Sequence, residues 1–359
     1  MRIGVNTALL SSAGDFRQAG VSRYIRELLA AMGPLTRDDE DIVSISPGGS
    51  GPLRHPVGRI AWEQTALAAR ARMMDVDLLH GPVMVAPLLG PPSVVTVHDL
   101  AFVRYPEHAP KSRTAYLAAA TRQSVHRARR VITVSHATAS DLMDWTGLPA
   151  DRIEAIPLAA TPTIQRPPAD RLQAFRRDTM ASPYILAVGT IEPRKNLLTL
   201  LNAFASIADR IPHTLVIVGG EGWKNAAFET AVGELGLASR IRFTGHVPDA
   251  ELSCWYSACD CFVLPSVFEG FGLPPLEAMK CGAPVVVSNT SSIPEVVGDA
   301  GLTVAPLDVV GFANALLRVI EDRGLRAELC ARGVERAAEF SWTRTAEATL
   351  EVYRDAEGR

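Results

Sequence analysis

Cys261-Phe262-Val263-Leu264-Pro265-Ser266-Val267-Phe268-Glu269-Gly270-Phe271-Gly272-Leu273-Pro274-Pro275-Leu276-Glu277-Ala278-Met279 decides the fold and much of the chemistry. Cys261 to Leu264 is a short apolar run of the kind that forms a strand buried on both faces. Pro274 and Pro275 stand where the first turn of a helix tolerates proline, and Gly282 stands where a helix stops. The stretch predicts a strand, a glycine-bearing loop and a helix N-terminus. At such a junction backbone amides point outward and the helix dipole adds partial positive charge, so a phosphate or a sugar hydroxyl can be held. Glu269 and Glu277 bracket the loop. Glu277 is expected in the first helical turn, where an ionised carboxylate is favoured and accepts hydrogen bonds from a vicinal diol. A glutamate there also serves as a plain dipole partner, so the stretch takes its meaning from a second segment.

Tyr184-Ile185-Leu186-Ala187-Val188-Gly189-Thr190-Ile191-Glu192-Pro193-Arg194-Lys195-Asn196-Leu197-Leu198 repeats the plan. An apolar strand ends at Gly189, a turn carries adjacent Arg194 and Lys195, and an apolar-periodic helix follows through Leu201 and Phe204. Both cations fall just beyond the carboxyl end of a strand, where open parallel sheets bind ligands. Guanidinium grips two phosphate oxygens and ammonium supplies a mobile point charge, so the pair suits a diphosphate. Taken alone, this segment also reads as a solvated charge pair on a loop.

Together, and continued by Asn289-Thr290-Ser291-Ser292-Ile293-Pro294-Glu295, the two segments resemble the E-x7-E motif of the retaining, nucleotide-sugar-dependent glycosyltransferases of family 4. The wording is most similar to mannosyltransferase-type members of bacterial polysaccharide and lipopolysaccharide pathways. The resemblance covers essentially the whole chain and is specific from Tyr184 to Pro306. It implies the α/β GT-B architecture, two Rossmann-like domains facing each other across a cleft. Residues 1–162 would form the acceptor side and 163–340 the donor-binding domain, with residues 341–359 packing back on the first. It further implies a metal-independent hexosyltransferase with no cofactor beyond its nucleotide-diphosphate sugar, GDP-mannose being favoured. The acceptor would be a saccharide or a polyprenyl-linked saccharide.

Carried onto this sequence, the resemblance names Glu269, Arg194, Lys195 and His98 as catalytic. It names Gly20, Gly189, Thr190, Gly245, His246, Val247, Gly270, Phe271, Gly272, Leu273 and Glu277, with Arg194, Lys195 and Glu269, as donor contacts. Glu269 is expected to hold sugar hydroxyls and Glu277 the ribose. Arg194, Lys195 and the amides of Gly270 to Gly272 would stabilise the departing diphosphate. Gly245-His246-Val247 would lie near the base, and Asn289-Thr290-Ser291 would line the same pocket. Retention comes from the resemblance alone. The preferred route is same-face, the leaving phosphate taking the acceptor proton, since no carboxylate can be named beneath the anomeric carbon.

Two departures stand out. Many members carry two glycines in the first loop, where this chain has Ala19-Gly20, and many carry arginine directly after Gly189, where this chain has Thr190. Gly20 reads equally as an ordinary glycine near a helix start. His98 ends the apolar run Val94-Val95-Thr96-Val97. Histidine at such a place is commonly structural, but in similar enzymes this position faces the donor sugar, so it is expected to donate a hydrogen bond to the sugar or its phosphate. Asp99 would orient the loop.

Composition agrees. A chain of 359 residues, 47% hydrophobic, builds two cores, and a net charge of −3 suggests no nucleic-acid partner. Five cysteines occur without a Cys-x-x-Cys pair; Cys254, Cys259 and Cys261 read as reduced, buried thiols, two of them on a strand, with no metal site. Met1-Arg2-Ile3-Gly4-Val5-Asn6 enters a strand without a signal-peptide core, and no apolar run spans a bilayer, which suits a cytoplasmic protein. Dehydrogenase, Walker-loop and Gly-x-Ser-x-Gly hydrolase signatures do not occur.

Twelve strands alternating with helices are expected, six in each half, with the proline-rich stretch 158–168 as linker. Trp342 is a core anchor. From Lys111 to Arg130 the cations Lys111, Arg113, Arg122, Arg127, Arg129 and Arg130 occur with no acidic residue. This is a solvated helix face or a peripheral contact with the cytoplasmic face of the inner membrane. Two other classes stay open: a sugar-nucleotide 2-epimerase of related fold, and a non-catalytic nucleotide-sugar-binding partner.

Overall fold

The computed structural model describes residues 1–10, 19–47, 56–108, 111–179, 183–220 and 226–358. The chain divides into two compact units, Met1–Leu158 with Ser341–Arg359, and Ala159–Phe340. The first contains strands β1 (Arg2–Asn6), β2 (Asp41–Ile45), β3 (Leu78–Gly81), β4 (Ser93–Val97), β5 (Arg130–Thr133) and β6 (Ile153–Ala155). They form one parallel sheet in the order β2-β1-β3-β4-β5-β6. The second contains β7 (Tyr184–Val188), β8 (Thr214–Val218), β9 (Ile241–Gly245), β10 (Cys261–Leu264), β11 (Val285–Ser288) and β12 (Gly301–Val304). Their order is β12-β11-β10-β7-β8-β9, again all parallel. Every run read as a strand forms one.

The second sheet has the order of a dinucleotide-type doubly wound fold, which reverses between β7 and β10. Connections leaving these two neighbours go to opposite faces and open a crevice at their carboxyl ends. Arg194 and Lys195 follow one strand and Glu269 follows the other. The first sheet is wound differently, with its reversal between β1 and β3.

β10 and β11 are buried throughout, as parallel strands covered on both faces must be. Ile185 and Ala187, Leu215 and Ile217, and Cys261 and Val263 alternate onto one face. There they meet Leu200, Leu201 and Phe204 of the helix Leu197–Ile207 and Phe312 and Leu316 of the helix Val309–Glu321. Of the crowded cysteines only Cys261 lies on a strand; Cys254 lies in the helix Asp249–Ala258 and Cys259 just before β10. Burial pushes the thiols of Cys259 and Cys261 up.

Gly219, after β8, has φ +155°, and a Cβ there would lie 2.1 Å from the Gly189 carbonyl oxygen. Its amide donates to Gly245 O at 2.9 Å, while Gly189 donates to Val218 O at 2.9 Å, so three strand ends are laced together through it. Gly219→Ala is expected to destabilise this unit by about 3 kcal/mol or more through steric and backbone strain. An unchanged urea midpoint would contradict this.

The stretch 158–168 is no solvated tether. Leu158, Ala159, Ala160, Thr161 and Ile164 are buried, and Lys280 donates from Nζ to Thr161 O at 3.1 Å. The basic run is also partly consumed. Arg129 donates to the carbonyls of Ala356 and Glu357 at the end of the helix Trp342–Glu357, and Arg130 pairs with Asp355 and Glu154. Lys111, Arg122 and Arg127 remain exposed on the helix Lys111–Arg127; the Arg113 side chain lies outside the described residues. The helix Trp342–Glu357 belongs to the first unit, with Trp342 buried at its start and Arg354 bridging to Glu40 at 2.6 Å. Among the described residues no helix is long and apolar enough to cross a membrane.

Candidate active site

The loops after β7 and β10 are built as one object. Gly189 leaves β7 with φ +148°, and a tight turn over Pro193–Lys195 closes on Asn196 at φ +54°. The Asn196 amide then donates to Pro265 O at 3.0 Å and Pro306 O at 2.6 Å, fastening this loop to those after β10 and β12. Val267 donates from its backbone to Arg194 O at 2.9 Å. A recess between the strand ends is lined by Val188, Gly189, Lys195, Leu197, Leu264 and Pro265.

Glu269 sits at the centre. Lys195 Nζ donates to its Oε1 at 2.7 Å and Arg194 Nη1 to its Oε2 at 2.7 Å. Arg194 also donates to Phe268 O at 2.9 Å and, through Nη2, to Glu192 Oε1 at 2.6 Å. Glu269 and Lys195 are 7% and 8% exposed, so these are low-dielectric pairs. Burial works to raise the Glu269 pKa, but Arg194 and Lys195 outweigh it and hold the carboxyl at about 2. The backbone is fixed as well: Glu269 N donates to Ser291 Oγ at 2.9 Å, and Ser292 Oγ donates to Glu269 O at 2.9 Å. Ser291 takes up φ +50° to reach it, strain spent on holding one carboxylate.

This changes the picture of two ready cations. Arg194 divides its terminal nitrogens between Glu269, Glu192 and a carbonyl, and so is a strut. Lys195 commits one of its three N–H donors to Glu269.

Gly272, at φ +104°, precedes the helix Leu273–Lys280. Pro274 and Pro275 remove two of the amides a helix start normally offers, and Leu276 N turns back to Gly272 O. Among the described residues the amides of Phe271, Gly272 and Leu273 have no protein acceptor. Thr190 is half-buried beside Gly189. Glu277 is the fifth residue of its helix, outside the first turn where it was expected. It is 3% exposed, and the Tyr256 hydroxyl donates to its Oε2 at 3.1 Å. Gly245 ends β9 at φ +71°; His246 is exposed and Val247 buried.

His98 and Gly20 belong to the other unit. Gly20 is the exposed second residue of the helix Ala19–Met32, and a Cβ there would meet nothing within 4 Å. Residues 11–18 of the first loop, Gln18 included, lie outside the described residues. His98 follows β4, with Nε2 2.9 Å from Pro82 O. A carbonyl only accepts, so Nε2 carries the proton. Burial lowers the ring's pKa against the opposing effects of Pro82 and Asp99. The ring is therefore neutral, its donor is spent on Pro82, and Nδ1 is an acceptor, the reverse of the donor role expected.

Glu192, Asn196, Ser292, Tyr256 and Gly219 escaped the sequence reading. A double glycine after a strand flags Gly219; the others act on partners distant in sequence and leave no local sign.

Residues 4–161 match the family described as Glycosyltransferase Family 4, and residues 182–322 that described as Glycosyl transferases group 1. The O-antigen chain mannosyltransferase B of Escherichia coli is 38% identical over 281 residues, 77% of this chain and 74% of that protein. The serotype-specific mannosyltransferase WbdA of Escherichia coli is 32% identical over 235 residues, 63% of this chain but 29% of that longer protein. Sucrose-phosphate synthase from Thermosynechococcus elongatus superposes with a TM-score of 0.77 at 22% identity, over 99% of this chain and 98% of that one. Anabaena HepE, in complex with UDP and glucose, gives 0.75 at 18%, over 99% and 100%. These two likenesses concern the fold, which is GT-B. The chain belongs to the family 4, group 1 glycosyltransferases.

Proposed function

We propose that this transferase moves mannose from GDP-mannose, with retention and without a metal ion, to a saccharide or polyprenyl-linked saccharide acceptor at the cytoplasmic membrane face. The observation that carries the reading is the Lys195–Glu269–Arg194 cluster, clamped at the switch point of a doubly wound sheet. The mannosyl donor is supported by the mannosyltransferases of Escherichia coli to which the chain is similar. A membrane-presented acceptor is supported by exposed Lys111, Arg122 and Arg127.

In this mechanism Lys195 and the amides of Phe271, Gly272 and Leu273 meet the diphosphate and stabilise the charge that grows as it leaves. Glu269 holds Lys195 in place and accepts from sugar hydroxyls with its remaining lone pairs. Arg194 keeps Glu269 ionised. Glu277, steadied by Tyr256, takes the ribose diol, and the base lies near Gly245-His246-Val247. His98 accepts from a sugar hydroxyl through Nδ1. The bond from the anomeric carbon to the diphosphate breaks, the acceptor oxygen bonds to the same face, and its proton passes to the departing phosphate oxygen.

Calorimetric titration with GDP, UDP, dTDP and ADP tests the donor. Selective binding of GDP, followed by EDTA-insensitive formation of an α-mannoside seen by NMR, is the expected result. Selective UDP binding, an inverted product or loss of activity in EDTA would each overturn the corresponding part.

A further inference from the structure

Beside His98 the first unit buries a chain of side-chain hydrogen bonds that sugar transfer does not itself require. The Tyr353 hydroxyl lies 2.7 Å from His80 Nδ1, His80 Nε2 lies 2.8 Å from Thr96 Oγ1, and Thr96 Oγ1 lies 3.1 Å from the Tyr24 hydroxyl. The four side chains are 0–2% exposed. They come from the helix Trp342–Glu357, β3, β4 and the helix Ala19–Met32. Apolar residues would fill this space without desolvating four polar groups, so the chain calls for a reason beyond filling.

Its far end supplies one. Thr96 and His98 are two residues apart along β4 and its extension, so their side chains leave on the same face. Tyr24 spans both, with its hydroxyl at Thr96 and its ring edge-on to the His98 imidazole, centroids 4.8 Å apart at 83°. His98 is then held on two sides, by Pro82 O at Nε2 and by the Tyr24 ring. We propose that Tyr24, anchored through Thr96 and His80 to Tyr353, is a positioning residue that fixes the ring plane of His98 for sugar recognition. This rests on the placement of His98 at the donor sugar given above.

The chain has the properties such a support needs. Burial keeps His80 neutral, its pKa lowered to about 3, so one ring nitrogen donates and the other accepts. Thr96 gives one proton and takes one, and the two tyrosines close the ends, one as donor and the other as acceptor. The bonds then run in a single sense along the chain, and removing any hydroxyl takes one partner from each neighbour.

Tyr24→Phe and Thr96→Val each delete one hydroxyl and keep the volume, whereas Thr96→Ser keeps the hydroxyl. The expected result is a kcat for mannosyl transfer lowered about tenfold in the first two and near wild-type in the third, with the GDP dissociation constant within about twofold throughout. In a His98→Ala background, Tyr24→Phe should cost nothing more. The His98 ring resonances should be sharp in the parent and shifted and broadened in Tyr24→Phe, with the Nε2–H tautomer set by Pro82 kept in both. An equal loss from Tyr24→Phe with and without His98 would overturn the proposal, as would an unchanged kcat and ring spectrum. Full transfer by His98→Ala would instead remove the catalytic placement of His98, and the proposal with it.

Discussion

Lys195→Ala is expected to lower kcat for transfer about a thousandfold, the scale of losing one preorganised charge partner of a leaving group. Lys195 gives one of its three N–H donors to Glu269, whereas Arg194 gives at least three of its five to Glu269, Glu192 and Phe268 O and is fixed by them as a strut. Stability should change far less. Glu269 keeps Arg194 as a partner, so the cost is about 2 kcal/mol, below the roughly 3–5 kcal/mol of stranding a buried charge completely. Adding Glu269→Gln should recover part of that stability and none of the activity, a divergence that separates the two roles of the pair. Lys195→Arg should not preserve either, because a planar guanidinium does not replace a compact ammonium at a side chain that is 8% exposed. The folded-state pKa of Glu269, about 2, lies below its ordinary value, so the cluster's contribution to stability is complete above about pH 4.5 and is lost as pH falls toward 2. No adjustment of pH between about 5 and 9 should therefore restore the variant. Stopped assays at saturating donor, paired with thermal melts, check both halves. A loss under tenfold would place the phosphate elsewhere.

Glu277→Ala is expected to weaken GDP binding about a hundredfold by calorimetry, while kcat at saturating donor falls less than tenfold. The carboxylate is buried, anchored by Tyr256 and set in the second turn of its helix, where the dipole contributes little. Two hydrogen bonds from a ribose diol to a charged acceptor, at about 1.5 kcal/mol each, account for that loss. Tyr256→Phe should give a smaller effect in the same direction. Unchanged affinity with a collapsed kcat would move Glu277 from nucleotide binding to the reacting centre.

The central strands were legible because parallel strands covered on both faces leave short apolar runs, as Val285-Val286-Val287 shows. Their neighbours were not. Periodicity marks a strand and is silent on which strand lies beside it, so the different winding of the two sheets could not be foreseen. The site was legible in its charged residues and illegible in what holds them. Glu269, Arg194 and Lys195 stood out by type and place, but their mutual neutralisation depends on two loops about 75 residues apart meeting. Ser291 and Ser292 act on the backbone of Glu269, and a serine hydroxyl aimed at a distant amide has no sequence signature. Glu277 falls one residue beyond the first turn because the Pro274-Pro275 pair fits a helix start equally well one residue earlier or later.

The assignment of residues 341–357 to the first unit sets an order on biosynthesis. Residues 159–340 are one contiguous block, all of it translated before the helix Trp342–Glu357. The amino-terminal sheet, translated first, waits: the partners of His80, Glu40 and Arg129 arrive only with Tyr353, Arg354 and Ala356. Domains of a nascent chain commonly mature from the amino end. Here a chain halted near residue 340 holds every residue of the unit 159–340 and still lacks the helix that completes the other.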